Sequence, residues 1–271
     1  MTCFLLRLGR IAAFLALTAP MMPVQAILLA IGSPWARRLP SAYHRVCCHI
    51  FGFHLETYGT RSVHRPTLFV SNHVSYFDIT ILGAALEASF VSKAEVGRWP
   101  LVGWLARLQR TVFVERADRT GAARQRDEIR GRLDRGDNLI LFPEGTSGDG
   151  IHVLPFKTTL FAAAEEELVV VQPVSLAYQR LDGIPLGRFY RPFFAWYGDM
   201  TMWPHVWTAL GMGQLTVAIV FHEPVRLGDF GSRKALSEHC RRVIADGLAA
   251  ALGGDPAAVQ PLALPPALAA Q

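Results

Sequence analysis

The chain has 271 residues, 51% of them hydrophobic, and a formal net charge of +5. That length makes one large domain or two modest ones, and a mean hydropathy of +0.24 excludes a disordered chain. A pI of about 9.3 suits an anionic membrane face or an acidic protein partner. Nucleic acid is set aside, since zinc-finger cysteine spacing and an RNP-type aromatic signature are both missing from the sequence.

Arg7 and Arg10 precede an uncharged run over residues 11–35, and Arg37, Arg38 and Arg45 follow it. As one helix this run would reach ~37 Å, against a hydrocarbon core of ~30 Å. Pro20 and Pro23 interrupt it. Three readings follow: a signal peptide with Val24-Gln25-Ala26 as cleavage site, a single transmembrane span, or a broken helical hairpin or re-entrant anchor. Arginines on both flanks leave the orientation open. Val46, Ile50, Phe51 and Phe53 pack an entry helix, and residues 53–58 then alternate as an edge strand. His44, His49, His54 and His64 are irregularly spaced, as packed or surface histidines rather than metal ligands. Cys3, Cys47, Cys48 and Cys240 form no even framework, which fits structural thiols in a reducing compartment.

The stretch that organises the rest is Ser71-Asn72-His73-Val74-Ser75-Tyr76-Phe77-Asp78. An apolar strand over 66–70 precedes it and a buried helix over 79–86 follows. A turn at the carboxyl end of a strand is where open α/β sheets place their chemistry. On one helix, at ~100° per residue, His73 and Asp78 would lie about 140° apart. They meet only if His73 sits in the turn and Asp78 in the first helical turn. Asp78 then accepts from one ring nitrogen and leaves the other free as a base. The competing reading is a capping box, with Ser75 as N-cap and Asp78 at N3.

Further along, 88–93 reads as a strand, 95–107 as a helix broken at Pro100, and 111–116 as a strand. Residues 117–137 are charge-dense, with Ile129 and Leu133 as a thin apolar stripe, and read as a solvated amphipathic helix laced with ion pairs. A strand then ends in Phe142-Pro143-Glu144-Gly145-Thr146-Ser147, where Gly145 lets backbone N–H groups approach a ligand.

Asn72-His73 with Asp78, followed by Phe142-Pro143-Glu144-Gly145-Thr146, resembles the N-H-x-x-x-x-D and F-P-E-G-T blocks of the glycerolipid acyltransferase family. The resemblance extends over residues 55–224. It implies an α/β fold with a mixed sheet flanked by helices, preceded by a retained apolar anchor with the catalytic domain on the cytoplasmic side of the inner membrane. It implies His73 and Asp78 as the catalytic pair, and acceptor or substrate contacts from Asn72, Lys93, Arg116, Glu144, Gly145, Thr146 and Lys157. Lys93, Pro100-Leu101-Val102-Gly103 and Arg116 match further family positions, as do Lys157 and Gln172-Pro173-Val174. The co-substrate implied is a thioester on acyl carrier protein or coenzyme A, with neither metal nor cofactor. The charge-dense 117–137 stretch has a second reading as a docking face for the acidic carrier protein. One departure stands out: the common family form has Arg after Gly-Thr, suited to a phosphate, and this chain has Ser147. The implied acceptor is 1-acyl-sn-glycerol-3-phosphate, with lyso-ornithine lipid as the alternative that the departure leaves room for.

Lys157 opens an apolar helix over 158–164, and 168–176 is a buried strand. Eight aromatic residues lie between Phe189 and Trp207, as strand core or as an interfacial belt or acyl groove. Residues 214–225 form a last strand. The organisation expected is an anchor over 1–50, an α/β domain over 51–231, an amphipathic helix over 232–252, and a flexible Pro/Ala-rich tail over 253–271. Two rival functions remain. In a serine hydrolase Ser147 would sit in a near G-x-S-x-G elbow. A membrane-binding module would not need His73.

Overall fold

The computed structural model describes residues 2–114, 127–165 and 169–258. It opens with a helical hairpin, α1 (Thr2–Ala30) and α2 (Trp35–Phe51), turning at Gly32, whose φ is +64°. One face of α1 is docked along most of its length. Arg10 donates to the carbonyls of Leu210 and Met212 (3.0 and 2.8 Å), and Gln25 to those of Ala36 and Leu108 (both 2.9 Å). Between them Thr18 shares a hydrogen bond with the Tyr43 hydroxyl of α2, and Phe14 meets Phe51. The opposite face leaves Leu5, Leu8, Leu15, Val24 and Ile27 exposed. Pro20 and Pro23, expected to interrupt the run, lie inside α1 on that exposed face. The docked contacts on the other face hold the helix path despite the two lost N–H groups and the crowding of each ring against the carbonyl four residues before it.

The core is an eight-stranded mixed sheet. Its strands are β1 (Phe53–Tyr58), β2 (Thr67–Ser71), β3 (Ser89–Lys93), β4 (Val112–Val114), β5 (Leu139–Leu141), β6 (Val170–Leu181), β7 (Ile184–Pro185) and β8 (Leu215–Phe221). The order is β1-β8-β6-β2-β5-β3-β4, with β7 on β6. All pairs are parallel except β6 with β8 and β6 with β7. This is the α/β class expected from the sequence, with β1 as an edge. Strand β6 runs past the expected end at Leu176, because its pairing with β8 continues through Leu181.

Helices cover both faces. On one, α2 and α3 (Phe77–Ala85) bury Phe77, Ile81 and Leu82 against Phe69, Ile140 and Leu176. Gly83 of α3 brings the two helices close: a Cβ there would lie 2.5 Å from the His44 ring. On the other face, a helical stretch at 127–133 (α5) contributes Ile129 and Leu133, and α7 (Arg233–Leu252) contributes Leu236, Cys240 and Ile244. The expected break at Pro100 separates a 3-10 turn (Ala94–Arg98) from α4 (Val102–Leu108). Two expectations are corrected. Residues Thr158–Glu165 form a 3-10 helix rather than an α-helix, and their two leading threonines are poor α-formers. The aromatic segment 189–207 is not strand: it holds a 3-10 turn (Arg191–Phe193) and the start of α6 (Met202–Ala209). Pro192 and Pro204 deny it a strand's run of donors.

Candidate active site

Parallel pairing sets the site. β2 ends at Ser71 between β5 and β6, so the turns that follow β2 and β5 emerge side by side at the carboxyl edge of the sheet. His73 stands in the first turn and Asp78 in the first turn of α3, as the spacing requires. His73 Nδ1 lies 2.7 Å from Asp78 Oδ2. That oxygen also accepts from the backbone N–H groups of Val74 (2.6 Å) and Ser75 (3.0 Å). Tyr178 of β6 donates its hydroxyl to Asp78 Oδ1 at 2.6 Å. Asp78 is fully buried. With two backbone N–H groups on Oδ2 and the Tyr178 hydroxyl on Oδ1, a carboxylate suits every partner, and an imidazole donating from Nδ1 completes the set. Nε2 then presents a lone pair, and among the described residues it has no hydrogen-bond partner. The His73 side chain keeps 20% of its surface exposed, so Nε2 can meet a substrate.

Part of the capping-box reading is also realised. Asp78 does accept from the Ser75 N–H, but Ser75 Oγ is buried and without a hydrogen-bond partner. Asp78 thus ties down the two residues ahead of α3 and holds the imidazole at once, while the N-cap position falls on Tyr76, which makes no side-chain cap.

The second turn braces the first. Phe142 stacks on the His73 ring, 4.2 Å between centroids and 17° between planes. Gly148 N–H donates to the His73 carbonyl at 2.8 Å. Gly145 turns the chain with φ of +74°. Glu144 Oε1 accepts from His73 N–H (2.9 Å) and Oε2 from Leu154 N–H (3.0 Å). Burial pushes the Glu144 carboxyl up to about 7, against the two N–H groups that pull it down. Ser147 donates its hydroxyl to the Trp196 carbonyl, and Trp196 N–H donates to the Val74 carbonyl at 2.9 Å. The aromatic segment therefore clasps both turns.

The expected residues divide accordingly. His73 and Asp78 come together. Asn72 and Glu144, expected to contact the acceptor, have their side-chain oxygens engaged inside the fold. Asn72 Nδ2 donates to the Leu176 carbonyl and its Oδ1 accepts from Leu176 N–H (2.9 and 2.8 Å), which ties the turn to β6. Thr146 is exposed on the second turn. Lys157 N–H donates to the Pro143 carbonyl, so that lysine lies beside the same turn. Lys93 ends β3 on the same sheet edge. Arg116 lies outside the described residues. Tyr178 is a site residue that the sequence reading missed, while Phe142 entered it only as the head of the second block and Trp196 only as one of the aromatics of 189–207. Val174, Leu176 and Tyr178 alternate onto one strand face, but the expected strand stopped at Leu176, so that alternation was not followed to Tyr178. A cavity lined by Arg37, Arg65, Arg110 and Asp137 lies at the amino ends of β3 and β5, away from this constellation.

The serine-hydrolase geometry is not met. Ser147 is turned inward onto a carbonyl, and no helix follows it. What the structure brings together instead is a histidine on a buried carboxyl group, and the comparisons with known proteins identify the family. Residues 54–177 match the family model described as Acyltransferase. The chain is 44% identical over 234 residues to a lyso-ornithine lipid O-acyltransferase of Brucella abortus, covering 84% of this chain and 88% of that one. It is 38% identical over 239 residues to a lyso-ornithine lipid O-acyltransferase of Rhizobium meliloti, covering 84% and 82%. A 1-acyl-sn-glycerol-3-phosphate acyltransferase of Neisseria gonorrhoeae is 32% identical over 183 residues, covering 66% and 69%. The crystal structure of the 1-acyl-sn-glycerophosphate (LPA) acyltransferase from Thermotoga maritima has the same fold, with a TM-score of 0.68 at 22% identity over 92% of this chain and 96% of that one. A binding module that merely shares the fold would not need the dyad, and relatives of this identity over most of their length exclude one: the chain belongs to the glycerolipid acyltransferase family and is an acyltransferase acting on lysolipids.

Proposed function

We propose that His73 is the general base for direct acyl transfer from a thioester, on acyl carrier protein or coenzyme A, to a lysolipid hydroxyl. The observation that carries this is the imidazole held through Nδ1 on a buried carboxyl group, with Nε2 open. Nε2 takes the hydroxyl proton while the hydroxyl oxygen attacks the thioester carbonyl. Asp78 stabilises the imidazolium that forms. The C–O bond forms, the C–S bond breaks, and the proton passes from His73 to the departing thiolate. The turn after Phe142 supplies backbone N–H groups near the developing oxyanion. Neither a serine nucleophile nor a cofactor enters these steps.

The acceptor best supported is lyso-ornithine lipid. Where the common family form has a phosphate-binding arginine, this chain has Ser147, and its hydroxyl is engaged by Trp196. The names of the Brucella and Rhizobium relatives point the same way. The order of the two acceptors is thus the reverse of the sequence reading. The Neisseria relative keeps 1-acyl-sn-glycerol-3-phosphate as the second reading.

The hairpin supports a membrane placement in which α1 lies in the plane of one leaflet. Among the described residues α1 is the one helix long and apolar enough to cross a membrane. Its contacts from Arg10 to Gln25 hold it along the α/β domain for ~22 Å, so crossing the bilayer would pull the domain in with it. In-plane placement immerses the outward leucines and leaves the domain in water, on what the resemblance makes the cytoplasmic side of the inner membrane.

Purified full-length protein with one thioester donor tests the chemistry. His73→Ala and Asp78→Ala each lose turnover by at least about a thousandfold while still sedimenting with lipid vesicles. Ser147→Ala remains active. Turnover surviving in His73→Ala, or vanishing in Ser147→Ala with the fold intact, contradicts the reading.

A further inference from the structure

We infer that Tyr178 is a positioning residue for the acyl transfer, holding Asp78 ionised and aimed so that His73 keeps its proton on Nδ1 and its lone pair on Nε2. The inference rests on the reading of His73 as the base.

Three devices bring Tyr178 to this place. Strand β6 pairs with β2 only as far as Ser71 opposite Val174, and then continues, still paired with β8, over the turn that follows β2. Side chains two apart share a face, so Val174, Leu176 and Tyr178 all point toward α3. Asn72 fixes the register by bonding both the N–H and the carbonyl of Leu176. Directly after Tyr178 the ladder with β8 is interrupted by a bulge before Arg180, a feature that re-aims side chains beside active sites. The Arg191 guanidinium, itself buried, donates to the Tyr178 carbonyl at 3.2 Å and holds this stretch from the far side.

The chemistry follows from the count of donors. Asp78 Oδ2 has three donors: His73 Nδ1, Val74 N–H and Ser75 N–H. Among the described residues Oδ1 has Tyr178 alone, at 2.6 Å, and both residues are fully buried. Burial and the adjacent Asp78 charge hold the phenol well above its ordinary range, so it stays a neutral donor. A donor on Oδ1 lowers the basicity of the whole carboxylate. It thereby opposes transfer of the Nδ1 proton to Asp78, and it limits how strongly Asp78 favours the imidazolium. Without it, Oδ1 is a buried unpaired acceptor whose charge turns wholly on His73. The Asp78 charge then favours the imidazolium more strongly, while Glu144, the other buried carboxyl facing His73, is unchanged between the proteins compared. Tyr178 touches no substrate: it acts through Asp78.

Tyr178→Phe keeps the ring and removes the hydroxyl. The expected result is a kcat lowered on the order of tenfold, unchanged KM for thioester and lysolipid, and an acidic limb of kcat/KM moved to higher pH. 3-Fluorotyrosine at the same position is a stronger donor of nearly the same size, and it moves that limb to lower pH. Adding Tyr178→Phe to Asp78→Asn produces no further loss, since the two act as one unit. An acidic limb that stays at the wild-type pH in both replacements overturns the inference, whatever happens to kcat. Should Tyr178→Phe not fold, the limb of the fluorotyrosine protein alone decides. His73→Ala is run alongside: turnover surviving in it sinks the base reading itself, whereas its loss beside an unmoved Tyr178 limb sinks only this inference.

Discussion

At the residue scale, the site depends on two buried carboxyl groups in opposite electrostatic situations. Asp78 has four donors among the described residues, the set that suits a carboxylate. Glu144 has two, both backbone N–H, and burial raises its carboxyl from 4.5 to about 7. A carboxyl raised in the folded state contributes stability that is complete below about 4.5 and is lost as pH rises through about 7. Thermal unfolding of Glu144→Gln between these pH values should therefore give a flatter Tm profile than wild type. Equal slopes would show that Glu144 does not titrate in that window. His73 and Asp78 were legible in the sequence because a five-residue spacing across a strand–turn–helix boundary has one geometry that joins them. The inward direction of Glu144 was not, since it is set by N–H groups of His73 and Leu154, distant in the chain or in the next loop. Tyr178 was not legible either. It lies a hundred positions from its partner, on a strand that the polar residues after Leu176 made look finished.

At the element scale, the hairpin carries the proposed membrane contact. A stripe of inward contacts at Arg10, Thr18 and Gln25 leaves the rest of α1 apolar and open. Fully burying a leucine or isoleucine side chain contributes about 1.5–3 kcal/mol. Leu15→Ser with Ile27→Ser should then weaken partitioning into vesicles by roughly tenfold or more, with unfolding and detergent-phase turnover little changed. Vesicle co-sedimentation measures it, and unaltered partitioning would move the membrane contact elsewhere. Cys3 is exposed near the start of α1, whereas Cys47, Cys48 and Cys240 are buried. With the domain outside sealed vesicles, an impermeant maleimide should label Cys3 if α1 lies in the plane. A protected Cys3 would mean that α1 crosses. The strands were readable as apolar runs ending in polar turns, and all but the two-residue β7 were anticipated. The segment from Phe189 to Trp207 was not, because aromatic content alone does not separate strand from the proline-punctuated turns found there.

At the scale of the whole molecule, the sheet puts both turns on one edge, and the segment around Trp196 clasps them from outside. Exposed Phe189, Tyr190 and Trp203 flank that segment, and Trp207 of the same helix meets Phe4 of α1. The start of the hairpin thus packs on the same segment whose Trp196 bonds the two site turns. Acceptor choice is then a matter of head group. The position where the common family form presents an arginine presents no charge here, and its hydroxyl is bonded to the fold. The most direct measurement is acyl transfer by purified wild type and His73→Ala with one thioester donor, lyso-ornithine lipid and 1-acyl-sn-glycerol-3-phosphate competing in the same vesicles. The expected result is His73-dependent product predominantly from lyso-ornithine lipid. Product predominantly from the phosphate acceptor would contradict that assignment, and would mean that another cation replaces the missing arginine.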